Sequence, residues 1–358
     1  MRRIEFHDRV GETKEIMGTL DSEPSLITFV YGPINSGKTA LITHLIEELP
    51  EDYVVFYVNL RGKFISNYDD FVRALFKLDR EKKEYKEILK TISEVSLKSL
   101  KFTGIPITEG VLDLFFRDKT YDDVFEFLED YFTEISENKV PVLIIDELQK
   151  IGDVKINTHL IYELFNLFIR LTKELHLCHV FAVSSDSLFI GRVYSEAMLS
   201  ERCKYLMVDD FDYERTMDFL EAYGWDEYEK EIAWRYVGGK PVSLVRLINE
   251  KRSGKNIEDV VGSMLKLKTG EIKQRIGVLT IVNKKILFEK EEIELKYDNV
   301  TKILDRFLDE ESYSYEVITP EIAYLVKENI LFVDTVNGIL KPQSRLNLLA
   351  IREVFGGA

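Results

Sequence analysis

Cysteine is nearly missing from this chain. Cys178 and Cys203 are the only two in 358 residues, and no Cys/His group has metal-ligand spacing. A disulfide framework or a zinc site therefore cannot be the basis of the fold. Long apolar runs are missing too. No stretch has the length needed to span a bilayer, and the opening Met1-Arg2-Arg3-Ile4-Glu5 lacks the apolar core of a signal peptide. These absences lead us to expect a reducing, cytoplasmic setting with no membrane contact. Positive charge is the third deficit: 48 Lys and Arg against 63 Asp and Glu leave a net charge of −15. Nucleic-acid binders draw much of their affinity from a basic field, so the overall charge opposes DNA binding, which would need a local basic face. What remains is the composition of a folded globular chain, too long for one ordinary core, and two or three domains are expected.

Against that background one segment carries chemistry. Gly32-Pro33-Ile34-Asn35-Ser36-Gly37-Lys38-Thr39 matches the G-x-x-x-x-G-K-[ST] pattern of a phosphate-binding loop. Leu26-Ile27-Thr28-Phe29-Val30-Tyr31 before it is short, apolar and β-branched, as a buried strand would be. From Ala40 onward the apolar residues take helical spacing. Strand, loop and helix together turn a string match into a mechanism. Gly32 and Gly37 let successive N–H groups point inward at phosphate oxygens, and the helix start adds a positive dipole end. Lys38 would bridge the β- and γ-phosphates, and the Thr39 hydroxyl would complete a Mg²⁺ shell.

A second apolar run, Val140-Pro141-Val142-Leu143-Ile144-Ile145, ends in Asp146-Glu147. A strand buried on both faces has no packing reason to end in two acids. At the carboxyl edge of a parallel sheet, Asp146 would hold the metal and Glu147 would orient and deprotonate an attacking water. A third run, Cys178-His179-Val180-Phe181-Ala182-Val183, leads into Ser184-Ser185, either of which is a candidate sensor of the γ-phosphate. Arg192 and Arg202 are candidate guanidinium groups for charge on the transferred phosphoryl group.

These motifs together resemble the archaeal ATPase family of the STAND branch of AAA+ proteins. The match rests on Glu5-Phe6-His7-Asp8-Arg9 with Glu12, the loop at 32–39, Asp146-Glu147-Leu148-Gln149, Gly191-Arg192 and Gly238-Gly239-Lys240-Pro241, in that order. The resemblance implies ATP or ADP with Mg²⁺ as the bound species, and a further strand between the loop strand and the acid-bearing strand. It also places Phe6, His7 and Arg9 near the adenine, and Pro241 at the start of a lid helix near the ribose or phosphates. Arg246 is a candidate for the second sensor of the lid.

The expected fold class is α/β: a P-loop NTPase of AAA+ type, with a parallel sheet, a helical lid and a C-terminal winged-helix domain. The ATPase core is expected over 1–209, the lid over 210–269 and the winged helix over 270–358. Within the core we expect strands 26–31, 53–60, 140–145 and 178–184 and helices 38–49, 67–78 and 157–175. An insertion over 80–139 carries helical stretches 81–93 and 120–137 around a hairpin that turns at Gly104. Near the C-terminus the Asn337-Gly338 pair predicts a type I′ hairpin, and the acidic segment 289–294 reads as a solvated face or linker. The candidate recognition helix at 320–328 offers little Arg or Lys for DNA. The expected function is a slowly hydrolysing, Mg²⁺-dependent switch ATPase whose nucleotide state controls the lid and winged helix, and through them a protein partner. The oligomeric state has no signature in the sequence. A DNA-linked AAA+ ATPase resembling origin-recognition loaders is the alternative. A small-molecule kinase is the third reading, disfavoured because Glu147 beside Asp146 suits activation of water.

Overall fold

The structure, a computed structural model, describes residues 4–356 apart from 83, 95–99, 118–121, 153–154, 157, 197–198, 200 and 290. Six strands make the central sheet: β1 (Ile27–Tyr31), β2 (Tyr53–Asn59), β3 (Leu100–Thr103), β4 (Val140–Asp146), β5 (His179–Ser184) and β6 (Cys203–Met207). Their order across the sheet is β6-β1-β5-β4-β2-β3, with every neighbouring pair parallel. β5 is thus the strand expected between the loop strand and the acid-bearing strand.

Both faces of the sheet are covered, which is why β1 and β5 are buried along their whole length and read as unbroken apolar runs. Alternate residues sort into two cores. Phe29, Phe56, Val58, Leu143 and Ile145 face the helices Tyr68–Leu75, Asp122–Ser136 and Leu160–Ile169. Val30, Val55, Val142, Ile144 and Phe181 face Ile16 and Leu20 of α1 (Val10–Leu20) and Leu41, Ile42 and Leu45 of α2 (Lys38–Glu48). Each such side chain contributes ~1.5–3 kcal/mol by leaving water. The carboxyl ends of β1, β4 and β5 are therefore fixed relative to one another by a packed interior.

Several elements differ from the sequence expectation. The helix expected over 67–78 starts at Tyr68, capped by the Asn67 side chain, and ends at Leu75, where Phe76 turns extended. Phe76–Leu78 is instead a short strand paired parallel with Ile105–Ile107. The hairpin expected around Gly104 does not form: its first arm, β3, pairs parallel with β2, while the second arm joins Phe76–Leu78. Residues 97–99, which begin the stretch expected to form that hairpin, lie outside the described residues. Ile105 and Ile107 are fully buried in the core, and that burial decides the pairing. The helix expected over 157–175 begins at Leu160, and after Ile169 it widens into a π-type turn over Arg170–Glu174.

Helices Tyr213–Glu221, Glu227–Val237, Pro241–Arg252 and Ile257–Gly277 enclose their own apolar cluster, centred on Leu220, Leu244, Leu247 and Ile248. The last helix runs through the expected boundary at 269–270. After it come a hairpin (Lys285–Phe288 with Glu291–Glu294), helices Tyr297–Asp305 and Pro320–Lys327, a second hairpin (Leu331–Asp334 with Ile339–Pro342) and helix Arg345–Phe355. The acidic segment is thus a strand of an antiparallel hairpin rather than a linker, though its glutamates are exposed as the sequence suggested. The second hairpin lacks the type I′ turn. Four residues, 335–338, separate its strands, and Gly338 takes positive φ while Asn337 does not. The physical reason is Asp334, whose carboxylate accepts hydrogen bonds from the Val336 and Asn337 backbone N–H groups and from Asn337 Nδ2, holding a wider loop.

Candidate functional site

The loop between β1 and α2 folds tightly against the segment after β6. A Cβ at Gly32 would overlap the Val208 carbonyl, so only glycine fits there, and the Val208 N–H donates to the Tyr31 carbonyl at 2.7 Å. Lys38 is buried, and its ammonium donates to the carbonyls of Gly32 at 2.9 Å and Pro33 at 2.8 Å. Burial, with Lys240 nearby, pushes the Lys38 amine down to about 8, against the opposing pull of Glu147 and Asp146. Lys240 is a second buried cation on the loop. It donates to the Ile34 carbonyl at 3.1 Å and pairs with Asp210 at 2.9 Å. Burial lowers the Lys240 pKa and raises that of Asp210. The Ile34 N–H, one of the groups that would cradle phosphate, donates to Gln343 Oε1 at 3.2 Å.

Thr39 and Asp146, 107 positions apart, meet directly. Thr39 Oγ1 donates to Asp146 Oδ2 at 2.9 Å, and Tyr57 OH donates to the same oxygen at 2.8 Å. Asp146 Oδ1 accepts from the Glu147 N–H at 2.9 Å. Glu147 itself sits in the left-handed region at φ 62°, a conformation that costs a non-glycine residue of order 1–3 kcal/mol and persists where the surroundings impose it. Its carboxylate is engaged on both sides. The Arg61 guanidinium grips Oε1, and Gln149 Nε2 donates to Oε2 at 2.8 Å. The bond to Glu147 holds the Arg61 pKa above its ordinary value. Gln149 continues the network to β5: Ser184 Oγ donates to Gln149 Oε1 at 2.8 Å, and Gln149 Nε2 reaches Ser185 Oγ at 3.4 Å. Arg192 lies on helix Ser187–Glu196, which follows β5, and its side chain is outside the described residues.

The N-terminal segment closes one side. Arg9, 2 % exposed, donates to the carbonyls of Ser36 at 2.6 Å and Asp209 at 2.7 Å, pairs with Glu12 and lies over the Phe211 ring. Phe6 stacks on His44 of α2, and His7 packs by Phe219. Pro241 is in the first turn of its helix, and it and Arg9 are the nearest side chains to the space above Gly37. Gly239 sits where a Cβ would overlap the Phe211 carbonyl, and its own carbonyl accepts from the Phe211 N–H at 2.9 Å. The Gly-Gly-Lys-Pro motif therefore pins helices Glu227–Val237 and Pro241–Arg252 to the segment after β6. Between them a cavity of about 430 Å³ opens, lined by Pro33, Asp210, Phe211, Trp234, Gly239 and Gln343 among others. Arg246 lines a different cavity, of about 310 Å³, with Glu250 and Asp259.

Lys38, Thr39, Asp146, Glu147 and Ser185 thus gather at one end of the sheet with Arg9 and Pro241 beside them. Lys240, quoted in the Gly-Gly-Lys-Pro motif, also belongs there, as do Tyr57, Arg61 and Gln343, which sequence reading did not single out. Tyr57 had a signal, because it and Asn59, two apart on β2, share the face that carries the acid of β4, and Arg61 lies in the turn just after that strand. Gln343 had none, since it arrives from 309 positions away.

This sheet order, the loop after β1 and the acids after β4 define a P-loop NTPase fold with helices packed against its carboxyl edge. Residues 6–247 match the family described as an ATPase domain predominantly from Archaea, and residues 258–355 match the C-terminal domain of the MJ1010-like uncharacterized ATP-binding proteins. The chain belongs to this archaeal ATPase-domain family. It is 47 % identical to the uncharacterized ATP-binding protein MJ1659 of Methanocaldococcus jannaschii, with 98 % of each chain covered. It is 43 % identical to the uncharacterized ATP-binding protein PYRAB09480 of Pyrococcus abyssi, again over 98 % of each. Among solved structures it is similar in fold to the Walker-type ATPase PABY2304 of Pyrococcus abyssi, at 17 % identity and a TM-score of 0.64, covering 98 % of this chain and 97 % of that one. No helix among the described residues is long and apolar enough to cross a membrane.

Proposed function

We propose that the chain is a cytoplasmic ATP-binding switch that hydrolyses ATP slowly and with Mg²⁺, and whose nucleotide state sets how the lid and C-terminal helices sit on the loop. One observation carries this: the Thr39 hydroxyl and the Asp146 carboxylate meet at 2.9 Å beside the buried Lys38 amine. The residues fit a magnesium nucleotide. The loop leaves no room for a Cβ at Gly32, and Lys38 is satisfied only by neutral oxygens that phosphate can replace. The donor set beside it is a hydroxyl and a carboxylate, the hard oxygen ligands that such a cation takes. Thr39 and Asp146 would hold Mg²⁺, which when bound neutralises charge on the β- and γ-phosphoryl oxygens.

The residues of this chain divide the remaining work. The N–H groups from Gly32 to Ala40 (Pro33 excepted) with Asn35, Ser36 and Gly37 wrap the phosphates, and Lys38 turns from its carbonyls to the β/γ oxygens. Phe6, Arg9 and Pro241 frame the base and ribose side. Glu147 accepts the proton of the attacking water once it is released from Arg61 and Gln149, and that hold is the reason for slow turnover. Ser185, with Ser184, reports the γ position through Gln149, and Arg192 stabilises charge on the phosphoryl group.

We assign the ATPase core to 1–209, with its insertion at 80–139, the lid to 210–269 and a winged helix to 270–358, in keeping with the STAND branch. A protein partner is favoured over DNA. The net charge is −15, and Ile322, Ala323, Tyr324, Leu325 and Val326 are all buried in the candidate recognition helix, leaving it no face for a groove. Steep salt-dependent binding to duplex DNA would overturn that preference.

Paired variants test the proposal. Lys38→Ala should abolish tight binding of ATP measured by calorimetry. Glu147→Gln should keep ATP bound while phosphate release falls by about 10² or more. Full affinity in the first, or unchanged release in the second, removes the assigned role.

A further inference from the structure

We infer that Tyr57, held by Asn59, is a positioning residue that nearly saturates the Asp146 carboxylate and so selects a small, water-retaining divalent cation over a larger one. The inference rests on the nucleotide-site reading above and goes beyond it, to the cation the site accepts and the residue that decides it.

A carboxylate offers about four acceptor positions. On Asp146, 2 % exposed, three are already filled by this chain: Thr39 Oγ1 and Tyr57 OH on Oδ2, and the Glu147 N–H on Oδ1. The Tyr57 hydroxyl is not free to turn away. Asn59 Nδ2 donates to the phenol oxygen at 3.0 Å, which leaves the phenol proton to point at Asp146. Asn59 is fixed in turn, because its Oδ1 accepts from the Arg61 N–H at 2.8 Å. The register explains the reach. Asn59 lies opposite Asp146 and Tyr57 opposite Ile144 in the parallel β2–β4 pair, so both side chains emerge on the face that carries the acid.

One acceptor position on Oδ1 remains. It suits a single hydrogen bond from a water in a cation's shell and cannot give the two-oxygen grip that a larger cation uses. Mg²⁺ keeps several waters in a strict octahedron, whereas Ca²⁺ takes six to eight oxygens and accepts bidentate carboxylates. Removing the phenol hydroxyl returns an Oδ2 position to the site and relaxes the choice.

The experiment measures binding of a fluorescent ATP analogue to the full chain while Mg²⁺ or Ca²⁺ is titrated, for the native protein, Tyr57→Phe and Asn59→Ala. The native protein should need at least about tenfold less Mg²⁺ than Ca²⁺ for half-maximal binding. Tyr57→Phe should narrow that ratio about tenfold, the effect of losing one charge-assisted bond. Asn59→Ala should narrow it about threefold, because the phenol remains but is no longer held. An unchanged ratio in a folded Tyr57→Phe protein overturns the inference. Should that variant fail to fold, an unchanged ratio in Asn59→Ala does the same. If the native protein binds the analogue with no cation dependence, or not at all, the nucleotide-site reading itself fails and this one goes with it.

Discussion

His179 lies on β5 at the strand's amino end, opposite the end that carries the acids, and is 3 % exposed. Burial pushes its imidazole down to about 4 in the folded chain, although a bond to the Leu20 backbone pulls the other way. In the unfolded chain it titrates near 6.5. Between those two values the unfolded state binds more protons, so stability rises with pH across the window and is lost as pH falls from 6.5 toward 4. His179→Gln should therefore flatten the stability slope over that window in urea unfolding, with little change above pH 7. Equal slopes for the two proteins would show that this imidazole does not set the acid limit. The chemistry-bearing residues were legible one by one for a different reason. Lys38 follows Gly37 at a helix start, and Asp146-Glu147 ends an apolar run, so each carries its own local context. Tyr57 and Arg61 act through those residues, and a tyrosine in an apolar strand reads equally well as core.

Period and composition placed most strands and helices within a few residues, yet they did not say what each strand pairs with. The segment around Gly104 has the alternation of a hairpin. The two arms nevertheless join different sheets, because Ile105 and Ile107 gain more by entering the core than by pairing back on β3. The hairpin at 331–342 shows the same limit. Asn-Gly favours a two-residue turn, but Asp334 supplies an acceptor that three donors of a four-residue loop satisfy at once. Tyr31 OH also donates to Asp334 Oδ1 at 2.9 Å, joining β1 to this hairpin in the interior. Tyr31→Phe removes only that bond and should cost about 1–2 kcal/mol. Asp334→Ala also strips the loop of its acceptor and should cost about 3 kcal/mol or more. Urea unfolding at neutral pH checks both. If the two losses are equal, the loop bonds contribute nothing and the turn is held by Gly338 alone.

The parts of the site that lie far apart in sequence also bind one another, and this closure was the least legible feature. Arg9 bridges the carbonyls of Ser36 and Asp209, Lys240 bridges Ile34 and Asp210, Lys341 pairs with Asp209, and Thr335 touches the space above Gly191. No local pattern encodes such contacts. Those of Lys341 and Thr335 arise only when the C-terminal hairpin has docked. Under the proposed function Gln343 is the contact that competes most directly with a ligand, since it occupies the Ile34 N–H, which that proposal places in the phosphate cradle. On that proposal nucleotide binding and hairpin docking would be coupled through one shared donor, and weakening the dock should strengthen the binding. Gln343→Ala should raise the affinity for a fluorescent ATP analogue about threefold to tenfold, the worth of one neutral hydrogen bond. It should also lower the thermal midpoint measured without nucleotide, because the hairpin loses a tether. A folded variant with unchanged affinity would mean that the Ile34 N–H is not contested, and that the hairpin does not sense what the loop holds.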